Sequence, residues 1–84
     1  MEEPEQHFLT PSNPELVFGK QVEEVFIRDV RGRVLWEMKR GNSSQIIVWY
    51  GTDKDGESIE SGLYIYQMRT SDGKRKYGVA VIAK

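Results

Sequence analysis

The chain has 84 residues, 38% of them hydrophobic, with twelve Lys and Arg against thirteen Asp and Glu for a formal net charge of −1. That length excludes a second domain, since a typical domain takes ~150 residues. The balanced charge argues against a basic nucleic-acid footprint. No apolar run approaches the ~20 residues that span a bilayer, which predicts no direct membrane insertion. With no Cys there is no disulfide framework, thiol nucleophile or thiolate metal site. Eight Val and six Ile outnumber four Leu and two Ala. β-Branched residues fit a pleated surface better than a helix, and no long window holds a 3.6-residue period, so the chain reads as all-β.

Residues 1–14, with all three prolines and no apolar pattern, read as a flexible N-terminal tail or linker, leaving 15–84 as the folded domain. A short strand at Leu16–Phe18 comes first. From Val22 to Val30 the sequence alternates, Val25 and Ile27 on one face and Glu24, Phe26 and Arg28 on the other. Asp29-Val30-Arg31-Gly32 reads as a hairpin turn with Gly32 in the left-handed region, so 33–39 returns antiparallel with Leu35 facing inward. A polar loop at 40–44 leads to Gln45–Trp49, whose nearly continuous apolar run predicts a strand covered on both sides. Asp53-Lys54-Asp55-Gly56 is a second tight turn. Beyond Gly62, Tyr64, Tyr66 and Met68 share one face and Ile65, Gln67 and Arg69 the other. Ser71-Asp72-Gly73-Lys74 is a strong hairpin signal, and 75–83 closes the chain with Val79 and Val81 on one face. Six or seven short strands at this spacing, joined by Gly turns, predict a small antiparallel sandwich or barrel.

The turns also carry a resemblance. Asp29-x-Arg31-Gly32-Arg33, Trp49-x-Gly51-Thr52-Asp53-x-Asp55-Gly56 and Ser61-Gly62-x-Tyr64-x-Tyr66, followed by a strand ending in Ala83-Lys84, run in that order along the chain. Over residues 8–84 the sequence resembles the Ig-like modules at the C-terminal ends of bacterial surface and secreted proteins. These include type IX secretion sorting domains, gliding-motility-associated C-terminal domains and the Ig-like module of the flagellar hook-capping protein. Where that group usually has Asp after the strand Trp, this chain has Tyr50.

The resemblance implies an Ig-like antiparallel β-sandwich of about seven strands, and a non-enzymatic C-terminal structural and sorting module of an exported protein. Its partners would be the secretion or cell-surface machinery and the preceding domains of a larger parent. Its location would be secreted or on the bacterial surface, after periplasmic transit. The signature residues Gly32, Trp49, Gly51, Asp55, Gly56, Gly62, Tyr64 and Tyr66 read as structural: glycines at turns with unusual dihedrals, aromatics filling a thin core.

Against catalysis, the only histidine, His7, lies in the predicted tail, where nothing holds it within reach of a nucleophile. Carboxylates are numerous, but a two-sheet domain of this size has little room for a sugar cleft between two of them. Asp53-x-Asp55-Gly56 matches part of a calcium loop, yet counting from Gly51 the bidentate position falls on Gly62, so an Asp-Gly turn is the better reading and no metal or cofactor is expected. Phe26, Trp36 and Tyr50 fall on the parity opposite to Ile27, Leu35 and Trp49. They define a candidate outer contact patch for a carbohydrate or protein partner, the alternative to sorting, with a flagellar-cap-type assembly role as a third.

Overall fold

The structure, a computed structural model, describes residues 5–41 and 45–84. Met1–Pro4 of the predicted tail and Asn42-Ser43-Ser44 of the predicted loop lie outside the described residues.

Among the described residues, seven strands form two sheets. The strands are β1 (Glu5–Leu9), β2 (Leu16–Val17), β3 (Val22–Arg28), β4 (Val34–Lys39), β5 (Val48–Trp49), β6 (Gly62–Thr70) and β7 (Arg75–Ile82). The large sheet runs β1-β7-β6-β3-β4, and β2 pairs with β5 in the small one. This is the strand order of an Ig-like sandwich, with the last two strands beside β3 in one sheet and the second and fifth strands paired in the other. Side chains from the inner faces share one buried cluster: Val25 and Ile27 from β3, Tyr66 from β6, Ala80 and Ile82 from β7, and Leu16, Phe18, Ile47 and Trp49 from the small sheet and its flanks. The fold class read from composition and alternation is therefore observed.

Three five-residue turns share one construction. In 29–33, 53–57 and 70–74 the first residue's N–H donates to the fifth residue's carbonyl, and the fourth residue, Gly, donates to the first residue's carbonyl. The glycines have φ of 87°, 81° and 83°, a region that L side chains enter at a steric cost. This is the three-residue hairpin loop in which a type I turn is followed by a left-handed residue, and it fixes the register of the strands it joins. Gly62, at φ 157°, is close to extended and heads β6 instead of closing a turn.

Two bulges reset the alternation. Between β3 and β4 the register passes from Ile27↔Trp36 to Arg28↔Val34, leaving Leu35 as the extra residue. Between β3 and β6 it passes from Val22↔Thr70 to Glu24↔Arg69, leaving Glu23 extra. A bulge puts two residues opposite one, so side chains that parity assigns to opposite faces can approach the same one. Hence Leu35 and Trp36 both pack against the core cluster, and Val22 and Val25 are both buried.

Two sequence expectations are corrected. Residues 5–9, assigned to a flexible tail, form β1, which pairs in parallel with β7 from Glu5↔Gly78 to Leu9↔Ile82. The large sheet is thus not wholly antiparallel. Leu9 is only 3% exposed, and its carbonyl accepts the N–H of Ala83 at 2.9 Å. The segment 45–49, expected to be covered on both sides, alternates instead: Ile47 and Trp49 are buried while Ile46 is exposed, and only Val48–Trp49 is strand. It belongs to a two-stranded sheet with one face toward the core and one toward solvent.

Because β1 buries Leu9 and covers the edge of β7, removing residues 1–9 should lower unfolding stability by at least about 3 kcal/mol, the scale of deleting one buried Leu side chain. Urea denaturation followed by tryptophan fluorescence measures this; an unchanged midpoint would restore the flexible-tail reading.

Candidate functional site

The proposed contact patch does not exist as one surface. Trp36 lies on the inner side of β4, its ring 6.3 Å from that of Trp49 and tilted by 42°. This is within the range of favourable aromatic pairs, and Trp36 packs half-buried against the core. Phe26 is on the outer face of the large sheet, half-buried beneath the Arg28 guanidinium, which lies 5.9 Å from the ring centre. Tyr50, 59% exposed, follows β5 on the other sheet, where it borders a groove with Met38 and Ile46. Parity alone predicted a common face for Phe26 and Trp36, and the bulge at Leu35 separates them.

The three turns are held by side-chain acceptors at or near their first positions. The Asp29 carboxylate accepts the backbone N–H groups of Arg31 and Arg33 at 2.9 and 3.0 Å, and the Arg33 guanidinium at 2.9 Å. Partial burial raises its pKa, but these bonds outweigh that and hold it below the usual carboxylate range. Asp53 repeats the arrangement, accepting from the N–H groups of Asp55 and Glu57 at 2.9 and 3.0 Å. The third turn differs. There Thr70 stands at the first position, its hydroxyl bonded to Asp72, whose carboxylate also accepts from the Lys74 N–H at 3.1 Å. The bond from the Thr70 hydroxyl, with that from Lys74, lowers the Asp72 pKa. In the 53–57 loop, then, Asp53 serves as the acceptor of an Asx-type turn, and exposed Asp55 contributes its backbone N–H. Among the described residues, no three His, Cys, Asp or Glu side chains are placed to hold a metal ion together.

The signature aromatics fix the corners. Trp49 donates its indole N–H to the carbonyl of Thr52 at 2.8 Å, across the bend that Gly51 makes at φ 72°. Near the start of β6, Tyr64 donates its hydroxyl to the Glu60 carbonyl at 2.8 Å, the tyrosine corner of Ig-like sandwiches. Tyr66 is 2% exposed and sits edge-on to Phe18, with ring centres 5.6 Å apart. Burial, with the Glu5 carboxylate beside its hydroxyl at 3.4 Å, pushes its pKa up to about 12. His7, expected on a free tail, packs its ring 5.7 Å from that of Tyr66 and lies 3.3 Å from the Glu5 carboxylate. Nothing local in the sequence marks this Glu5–His7–Tyr66 group, because Glu5 and Tyr66 are 61 positions apart and meet only when β1 pairs with β7.

One concave feature lies where the chain's last residues emerge. Leu9, Thr10, Pro11, Pro14, Tyr50, Gly51, Ser58, Ile82, Ala83 and Lys84 line an open hollow of about 150 Å³. The Lys84 N–H donates to the Ser61 hydroxyl at 3.2 Å, so the end of the chain is held against the fold beside this hollow. Its lining combines apolar side chains, two prolines, one exposed tyrosine ring and one ammonium group. That set offers apolar and ring surface of the kind that packs against a polypeptide.

No known protein family matches the chain, no curated protein is similar to it, and no solved structure matches it.

The different settings of the aromatics give opposite expectations. Trp36→Ala should cost about 3 kcal/mol or more, since it opens a cavity beside Trp49, whereas Tyr50→Ala should stay within about 0.5 kcal/mol. Chemical denaturation of both variants checks this; equal small effects would return Trp36 to the surface.

Proposed function

We propose that this chain is a non-catalytic C-terminal structural and sorting module of an exported bacterial protein, read by a type IX-like secretion or surface-attachment apparatus. The observation that carries the reading is where the signature residues fall. Gly32 and Gly56 close two of the matching turns, Gly51 makes the bend under the Trp49 indole, Tyr64 forms the corner, and Tyr66 fills the core. A signature that encodes turns and corners specifies a folded shape, and a folded shape is what a machinery that docks on a surface requires.

On this reading the recognised element is the surface around the end of β7. Ile82 is packed against Leu9 across the parallel pair, and Ala83 and Lys84 are tied to Leu9 and Ser61. The hollow they border offers Tyr50, Pro11 and Pro14 to a partner polypeptide. The module would act after periplasmic transit, and preceding domains of the parent would be its cargo. It would bind, orient and be released, with no bond made or broken.

Deleting β7 would be a poor test, because that strand lies between β6 and β1 and its loss removes the middle of the sheet. A sharper test fuses residues 1–84 to the C-terminus of a signal-peptide-bearing fluorescent passenger in a bacterium with type IX secretion. The passenger should reach the surface or medium in cells with an intact pore and stay periplasmic in cells without one. Tyr50→Ala with Lys84→Glu, a folded variant altered at the hollow, should reduce export at least about tenfold, the scale of losing contacts worth ~1.4 kcal/mol. A folded fusion retained in the periplasm of the wild-type host would contradict the proposal.

A further inference from the structure

The outer face of the large sheet is built to be covered. In an antiparallel sheet with one solvated face, residues alternate between apolar and polar. Here β7 reads Tyr77-Gly78-Val79-Ala80-Val81-Ile82, apolar on both faces. Gly78, Ala80 and Ile82 face the core, leaving Tyr77, Val79 and Val81 outside. Their outer-face neighbours on β6 are Leu63 and Ile65, and Phe8 flanks Val81 on β1. Phe8, Leu63 and Tyr77 are 56%, 47% and 58% exposed.

The cross-strand register gives this face a second property. Across β7, β6 and β3 the outer rows are Arg75–Arg69–Glu24, Tyr77–Gln67–Phe26 and Val79–Ile65–Arg28, with Val81–Leu63 beyond them. Arg75 and Arg69 stand directly opposite each other, a like-charge pair that disfavours the isolated sheet. Arg69 turns toward Glu23 and Glu24, at 3.5 and 3.9 Å, while Arg75 has no ion pair among the described residues. Glu24, Phe26 and Gln67 line a depression of about 230 Å³ on this face.

We propose that the occupant is a second copy of this chain, related by a two-fold axis along β6. Rotation about β6 brings each β7 residue over the β3 residue of its own row. Arg75 then meets Glu24 of the other copy, Tyr77 meets Phe26, Val79 lies over Arg28, and Leu63, Ile65 and Gln67 meet their own counterparts; Arg69 also meets Arg69, each neutralised by Glu23 and Glu24 of its own copy, a compensation that position 63 lacks. The unpaired arginine gains a carboxylate, the aromatic pair lies beside the depression, and the apolar centre is sealed. Such a contact is isologous and closes at two copies. Three to five strands ~4.8 Å apart and about seven residues long offer roughly 400–600 Å² per copy. That is below the ~800 Å² per partner of a standard interface, so the dimer is weak and forms at high local concentration, as on a crowded surface. The inference stands on the sheet's outer face alone and does not depend on the sorting role.

Sedimentation velocity on residues 1–84 tests it, over about 10–500 µM, the range in which an interface of this size assembles. The sedimentation coefficient should rise from monomer toward dimer. Leu63→Lys, which sets two like charges across the axis, and Arg75→Glu, which faces Glu24 with a second carboxylate, should each weaken the dimer at least about tenfold. Val30→Lys, on the exposed 29–33 turn, should leave it unchanged. Both interface positions are solvent-exposed in the monomer, and tryptophan fluorescence confirms that each variant is folded. A chain that stays monomeric throughout, or a dimer indifferent to Leu63→Lys, overturns the proposal, the first by giving the face to a different protein and the second by placing the interface elsewhere.

Discussion

The ring of Tyr66 occupies space that a side chain at position 78 would fill. Tyr66 and Gly78 are cross-strand partners on the inner face, and a Cβ on Gly78 would come within 2.1 Å of the Tyr66 ring. Glycine is thus required there by close approach, in a strand where its flexibility otherwise costs stability. Lying over Gly78, the ring meets Phe18 from beside the small sheet, and its hydroxyl reaches Glu5 on the edge strand. One side chain therefore couples the β6–β7 register, the packing of the two sheets and the docking of β1. The flat inner surface of β7, with Gly78 and Ala80, exists to receive it.

Local physics made much of this legible in the sequence. The Asp-x-x-Gly spacing at 29–32 and 53–56 and the Gly73 hairpin signal announced turns, because few residues reach φ near +85° without strain. Strict alternation in β3 and β6 gave the correct inner faces, Val25 and Ile27 on one and Tyr66 on the other. The failures have physical causes too. Parity points Trp36 outward because counting by twos passes blindly through a bulge, and no residue in Val34-Leu35-Trp36 marks one. β1 was missed because Glu5-Gln6-His7-Phe8-Leu9 has one buried apolar residue and pairs in parallel with a strand some seventy residues away. A short, polar edge strand is how a sheet limits unwanted pairing, and the same polarity hides it from pattern reading.

The two surfaces with functional potential are separate. One is the hollow beside the end of β7, where the chain's last residues, Tyr50 and the Pro11–Pro14 segment converge. The other is the outer face of the large sheet, apolar along β6 and β7 and charged toward Arg69 and Arg75. A sorting module needs a surface for its receptor, and a module gathered at high density on an envelope can also meet its own kind. The residues of the proposed receptor surface and those of the proposed dimer face do not overlap, so one can be altered without the other. The core leaves little slack for either, since domains of this size bury only ~60% of their unfolded surface.

A double-mutant cycle measures whether the Tyr66 ring and Gly78 require each other. Stability would be measured by urea denaturation for Gly78→Ala, Tyr66→Leu and the double variant. Adding a methyl where the ring lies should cost more with the ring present than after its removal. A coupling of at least about 1 kcal/mol in that sense is expected, well above the ~0.5 kcal/mol within which independent sites add. Additive costs would mean that the ring and the glycine are neighbours without being partners, and the dependence of the sheet on their contact would be contradicted.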